Sequence, residues 1–215
     1  MELKTKELTT CALFAALIAV GAFIKIDIPL PIYTMHFTLQ WLFVLLAGFL
    51  LGAKRATVSI GVYLLIGLMG VPVFASGGGP AYILRPTFGF LLGFLFAAFA
   101  IGWITERMKA NKSYQYGIAG IVGLVIYYGF GVLYFYFINN FVNYTPVSLG
   151  AVVVDYCLIT ILPDALLVVA ATLMAKKIRA VFKYISTSKL VALWRIFRFS
   201  MRLRTGFVLW SEADL

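Results

Sequence analysis

Apolar residues run along this chain in long blocks, not at the alternate or every-third-to-fourth spacing of half-buried elements. Six blocks stand out: Leu8–Ile24, Thr38–Gly52, Val58–Phe74, Thr87–Thr105, Tyr116–Phe141 and Leu149–Ala175. Hydrocarbon offers a backbone amide no partner, so an unbroken apolar run must satisfy its own hydrogen bonds and reads as a helix. The pattern predicts an all-α integral membrane protein with six transmembrane helices. Between the blocks lie segments of a different character: "KIDIPLPIYTMHF", the basic turn "AKRA", "ASGGGPAYILRP", and "VNYTPVS". The first block could pass for a signal peptide. Lys25 closes it without a small-residue cleavage site, so it reads as a retained first span.

Composition agrees with the pattern. Of 215 residues, 63% are hydrophobic and 12% charged, whereas ordinary soluble domains are nearer half apolar and a quarter charged. A net charge of +10 would usually suggest nucleic acid, but the basic residues sit at the ends of the apolar blocks and form no single patch. Lys4, Lys6, Lys54, Arg55, Arg107, Lys109, Lys112, Lys176, Lys177, Arg179 and Lys183 fall on one face of a six-span bundle, and only Lys25 and Arg85 on the other. The positive-inside rule then predicts cytoplasmic termini. Residues 1–183 form the expected membrane domain. Residues 184–215 form a basic tail, with Arg195, Arg198 and Arg202 on one side of a helix and Leu190, Leu193, Trp194, Phe197 and Met201 on another. That is the pattern of an interfacial helix at an anionic leaflet, to which no function is assigned.

Several chemistries are excluded by missing parts. There is no GxxxxGK[ST] phosphate loop and no G-x-S-x-G elbow. His36 is the single histidine, so a two-histidine metal site is ruled out. Cys11 and Cys157 lie in apolar runs and read as small buried residues. The few charges inside the blocks are informative, because an ionised group in hydrocarbon is costly. Asp155 and Asp164 are nine residues apart, half a helical turn out of phase, so at most one faces a central site. Asp164, beside Pro163, is the candidate. Arg85 precedes Pro86 and Thr87 at the predicted start of the fourth helix, where free amides and the helix dipole also favour an anion. The glycines of "SGGG" would let backbone approach a ligand closely. Trp41, Tyr63, Phe74, Tyr82, Phe88 and Phe90 could supply apolar walls. In the first helix, Ala12/Ala16 and Ala15/Ala19 make small-xxx-small faces that permit close helix packing, inside the bundle or against a partner.

The segment "FTLQWLFVLLAGFLLGAKRATVSIGVYLLIGLMGVPVFASGGGPAYILRPTFGFLLGF" resembles the BioY family over roughly Lys4 to Lys183. Thr38-Leu39-Gln40, "LAGFLLG", "GVPVF" and "PTFGFLLGF" carry the likeness. The resemblance implies a biotin-binding S component of an energy-coupling factor (ECF) transporter. Its pocket would lie near the outer face under the first-to-second and third-to-fourth loops. The ligand-binding set would be Gln40, Ser76, Gly77, Gly78, Tyr82, Arg85, Thr87 and Asp164. The alanine face of helix one, here Ala12, Ala15, Ala16 and Ala19, would dock on the transmembrane coupling protein EcfT, and two ABC-type ATPases would drive the complex. No cofactor is implied; biotin is the cargo, and the setting is a bacterial cell membrane. The sequence departs from the family's P-G-D-x-x-K pattern, because Pro163 precedes Asp164 and Leu167 stands in place of lysine. Arg85 stands where the family has glycine, so it is the candidate replacement for the missing cation. The same departures leave open a different small carboxylated ligand, or a solitary biotin transporter working without ATPases.

Overall fold

The structure, a computed structural model, describes residues 5–29, 35–154 and 159–179. Asp155, Cys157 and the tail from residue 184 lie outside the described residues. The chain divides into a compact unit of residues 1–176 and a second unit of 177–215; the description below concerns the first.

The fold is helical, as the blocks predict. In order come α1 (Thr5–Phe23), a two-stranded hairpin of β1 (Lys25–Ile28) and β2 (Met35–Thr38), α2 (Gln40–Leu51), α3 (Ala53–Leu68), α4 (Phe88–Arg107), α5 (Ser113–Phe137), the one-turn α6 (Leu149–Val152) and α7 (Ile159–Arg179). Among the described residues three helical stretches are long and apolar enough to cross a membrane: Phe88–Arg107, Ser113–Val142 and Ile159–Arg179. The others are shorter. The 12 residues of α2 rise only about 18 Å, well short of a hydrocarbon core of about 30 Å.

One boundary differs from the sequence reading. "AKRA" is not a turn; it is the first turn of α3, and the chain reverses at the single residue Gly52. Gly52 has φ +81°, and a Cβ there would strike the Glu106 side chain, so only glycine fits. Within the last predicted block the structure describes α6 and α7, and residues 155–158 between them lie outside the described residues.

Small residues set the packing. α4 and α5 form an antiparallel pair in which Gly93 lies against the backbone of Tyr127, Gly89 against Tyr134, and Gly131 against Phe90. Close approach of this kind is how helices associate where lipid removes the hydrophobic drive. Gly102 meets the backbone of Ala53 in the same way, fixing α4 beside the α2–α3 turn. The core fills with Ile18, Trp41, Val44, Leu45, Phe49, Ile60, Tyr63, Ile101, Tyr116 and Phe135, each at most 1% exposed. Arg55 pairs with Glu7 at 3.7 Å, so the starts of α1 and α3 share one end of the bundle with Gly52 and Glu106. The hairpin and the α3–α4 loop share the other.

In α1 the small residues divide. Cys11, Ala15 and Ala22 are buried in the bundle, whereas Ala12 and Ala16 are exposed and Ala19 is half-buried.

Candidate functional site

The site is built by two loops closing over the end of the bundle. The first is the β1–β2 hairpin, where Lys25–Ile28 pairs antiparallel with Met35–Thr38. Its alternating "KIDI" and "MHFT" fit a short two-stranded ribbon, and the amide of Leu39 donates back to the carbonyls of Gly21 and Ile24, seating the hairpin on the end of α1. The second is the α3–α4 loop. Phe74 and Gly77 exchange backbone bonds of 2.9 and 3.1 Å, closing a tight turn with Ala75 and Ser76 at its tip. Gly77 has φ +111°, a conformation that a side chain resists. A Cβ on Gly78 would run into the carbonyl of Val71. Gly79 N–H donates to the Gly67 carbonyl at 2.7 Å, tying the loop to the end of α3. A 3₁₀ turn, Pro80–Leu84, then leads into α4.

His36 joins the two loops. Its Nδ1 lies 2.6 Å from Asp27 Oδ1 and its Nε2 2.5 Å from Ser76 Oγ. A carboxylate only accepts, so Nδ1–H is the donor to Asp27, and in the neutral ring Nε2 accepts the Ser76 hydroxyl. The hydrogen bond from His36, with Lys25 3.4 Å away on the same carboxylate, holds the Asp27 carboxyl below the usual carboxylate range.

Beneath this latch two cavities adjoin. One is lined by His36, Thr38, Gln40, Ala75, Tyr82, Thr87, Phe90, Leu91, Phe94 and Tyr127. The other is lined by His36, Phe37, Thr38, Trp41, Phe94, Tyr127, Thr160 and Asp164. His36, Thr38, Phe94 and Tyr127 border both, so the two lie side by side along a path from the loops toward α7. Its wall is a set of nearly parallel rings: Trp41 and Tyr127 at 4.8 Å, Phe94 and Tyr127 at 5.1 Å, Trp41 and Phe94 at 5.9 Å.

Fixed polar groups mark both ends of the path. At the inner end Tyr128 donates to Asp164 Oδ2 at 2.6 Å and lies 2.8 Å from Thr160 Oγ1. Asp164 is 3% exposed, and no lysine or arginine lines either cavity. Trp41 Nε1, also buried, has no hydrogen-bond partner. Such a donor is costly unless a ligand accepts from it. At the outer end Gln40 Nε2 donates to Tyr63 Oη at 2.6 Å, and Thr38 Oγ1 donates to Gln40 Oε1 at 3.2 Å.

Of the residues singled out in sequence, Gln40, Tyr82 and Thr87 line the outer cavity and Asp164 the inner one. Ser76, Gly77 and Gly78 lie in the loop above, with Ser76 bonded to His36. Arg85 stands off the cavity lining, its guanidinium 5.1 Å over the Tyr82 ring. Leu167 packs on the hydrophobic core. Of the aromatics named as possible walls, Trp41 lines the inner cavity and Phe90 the outer; sequence reasoning did not select His36, Phe94, Tyr127, Tyr128 or Thr160. A lone histidine within the second of two short alternating segments was the one signal that could have drawn attention to the latch.

Comparison with known proteins converges on one family. The sequence pattern of the BioY family matches residues 1–184. A probable biotin transporter BioY of Lysinibacillus sphaericus is 42% identical over 187 residues, covering 87% of this chain and 93% of that one. The biotin transporter BioY of Thermotoga maritima is 40% identical over 137 residues, 63% of this chain and 75% of that one. In structure the chain is similar to a crystal structure of the S-component for biotin from an ECF-type ABC transporter. The TM-score is 0.72 at 25% identity, covering 83% of this chain and 95% of that chain.

Proposed function

The chain belongs to the BioY family, and we propose that it is the biotin-binding S component of an ECF-type importer, a multi-pass protein of a bacterial cell membrane. The observation that carries the reading is the pair of adjoining cavities from His36 to Asp164, walled by parallel aromatic rings and roofed by two latched loops. Biotin has a ureido head with two N–H donors and one carbonyl, an apolar bicycle and chain, and a terminal carboxylate. The path offers matching chemistry in the same order. Asp164 accepts from the ureido N–H groups, and the unpartnered Trp41 Nε1–H donates to the ureido oxygen. Trp41, Phe94 and Tyr127 cover the bicycle.

The tail carboxylate must then point away from Asp164, since two like charges repel most strongly where little water screens them. It leaves past Tyr82 and Thr87 under Ser76, Gly77 and Gly78, with Gln40 bordering the passage. There Arg85 and the N-terminus of α4 supply positive potential. Arg85 thus takes the place of the lysine that Leu167 lacks. The direct test compares biotin with its neutral amide. Wild type should prefer biotin, and Arg85→Ala should lose about five-fold of that preference, a half-exposed ion pair being worth about 1 kcal/mol or less. An unchanged preference refutes the role of Arg85. Undetectable binding of biotin by wild type refutes the reading as a whole.

The exposed alanines Ala12 and Ala16, with Ala19 at the edge, are the proposed contact for the coupling protein EcfT, which would carry two ABC-type ATPases. Ala15 supports that face from inside the bundle. The positive-inside rule places the end bearing Lys54, Arg55, Arg107 and Lys112 in the cytoplasm and the latched loops outside.

A further inference from the structure

A second recess lies on the flank of the bundle, well away from the latched loops. It is a groove of about 430 Å³ between α5 and α7, lined by Ser113, Tyr114, Gly117, Ile121, Leu124, Ala165, Val168, Val169, Thr172 and Leu173. Its rim is open: Ile121 is 58% exposed and Leu173 54%. Its lining is apolar apart from the groups near one end, where α5 begins. There Thr172 is only 7% exposed, and its Oγ1 has no hydrogen-bond partner. A helical threonine ordinarily donates to the carbonyl four residues back, as Thr57 does at 2.8 Å and Thr105 at 2.6 Å. Thr172 leaves its hydroxyl free within the groove lining.

The charges sit at that same end. Lys112 immediately precedes Ser113, and its Nζ lies 6.0 Å from the centre of the Tyr114 ring on the groove wall. Lys176 is exposed and follows Thr172 by four residues, on the same face of α7. The amides at the start of α5 add the positive end of a helix dipole.

We propose that this groove holds one anionic glycerophospholipid of the surrounding bilayer. Its phosphate is taken by Lys112, Lys176 and the start of α5. Its ester carbonyl accepts from Thr172 Oγ1, and one acyl chain runs along Gly117, Ile121, Leu124 and Val168. The order of groups along the groove, from charge to hydroxyl to hydrocarbon, is that of the lipid itself. A helix of another membrane protein would cover the apolar floor but give two lysines and a buried hydroxyl no matching partner.

Gly117 makes the test clean. A Cβ there meets nothing within 4 Å, so Gly117→Leu fills the groove without disturbing the core. The full chain is reconstituted in nanodiscs of mixed phosphatidylglycerol and phosphatidylcholine, released into mild detergent and weighed by native mass spectrometry, with each variant's melting temperature as a folding control. Wild type should retain one phosphatidylglycerol and exclude phosphatidylcholine. Gly117→Leu should lose it. The double variant Lys112→Ala/Lys176→Ala should lower retention roughly 30-fold if each lysine contributes as it does near an anionic surface. Thr172→Val should lower it about two- to ten-fold. Absence of retained lipid from wild type, equal retention of phosphatidylcholine, or retention unaffected by Gly117→Leu in a variant that melts like wild type overturns the proposal. So does crosslinking of the groove to a partner helix in place of lipid.

Discussion

Replacing Asp164 by asparagine tests the inner end of the site with the least disturbance. The two side chains have nearly the same shape. The asparagine carbonyl can still accept from Tyr128, which lies 2.6 Å from Asp164 Oδ2, and the Tyr128–Thr160 contact at 2.8 Å need not move. What changes is the other terminal atom, which turns from an anionic acceptor into an N–H₂ donor facing the ureido N–H groups of biotin. The loss is one charge-assisted hydrogen bond, about 1.5–3 kcal/mol. That corresponds to roughly a 10- to 150-fold rise in Kd. Because Asp164 is 3% exposed, little solvent screening discounts the figure. Isothermal titration of the purified protein with biotin measures it, with a thermal melt to confirm that the variant is folded. An Asp164→Asn protein that folds and binds within two-fold of wild type would refute the assignment of this carboxylate to the ureido head.

Other outcomes follow from the same geometry. Trp41→Phe keeps a ring beside Tyr127 but removes the unpartnered Nε1–H, and should raise Kd about two- to ten-fold with a small change in melting temperature; unchanged affinity would mean that the indole donor does not reach the ligand. Ser76→Ala removes the Ser76–His36 contact at 2.5 Å, which should speed biotin release about two- to ten-fold in stopped-flow measurements and leave the association rate nearly constant. Asp27 has its pKa lowered by His36, so its stabilising contribution is complete above the unfolded value of about 3.9 and is lost as pH falls through the lower folded value. Release of biotin should therefore be faster from Asp27→Asn than from wild type at pH 7, and equal rates there would contradict the latch. Gly93→Val drives a side chain into the Tyr127 backbone and should cost about 1–3 kcal/mol of stability, seen as a lowered melting temperature.

The parts of the fold legible in sequence were those written in long stretches. Leu91 to Ile104 and Tyr116 to Phe137 are apolar without interruption, and α4 and α5 lie where those runs predict. Asp164 was legible because a carboxylate in an apolar run demands a reason, and only one of Asp155 and Asp164 could face a central site. Its partner was not, since Tyr128 is one of several tyrosines in α5 and nothing local distinguishes it. The hairpin was missed because its strands are four residues each and the connection between them holds Pro29 and Pro31, which read as loop. The reversal at Gly52 was missed because the neighbouring Lys54 and Arg55 suggest a solvated turn, while the constraint is a backbone angle visible only in three dimensions. Trp41 illustrates the general limit. Its chemistry depends on a missing partner, and ring neighbours as far along the chain as Phe94 and Tyr127 cannot be read from local sequence.

The central claim is that the cavity beneath the latched loops selects biotin. It is tested most directly by mass spectrometry of small molecules that copurify with the protein, joined to a biotin titration of the ligand-free form. Biotin as the bound molecule, with one saturable site that Asp164→Asn weakens, is the predicted result. A different bound vitamin, or a ligand-free protein that biotin does not saturate, would contradict it.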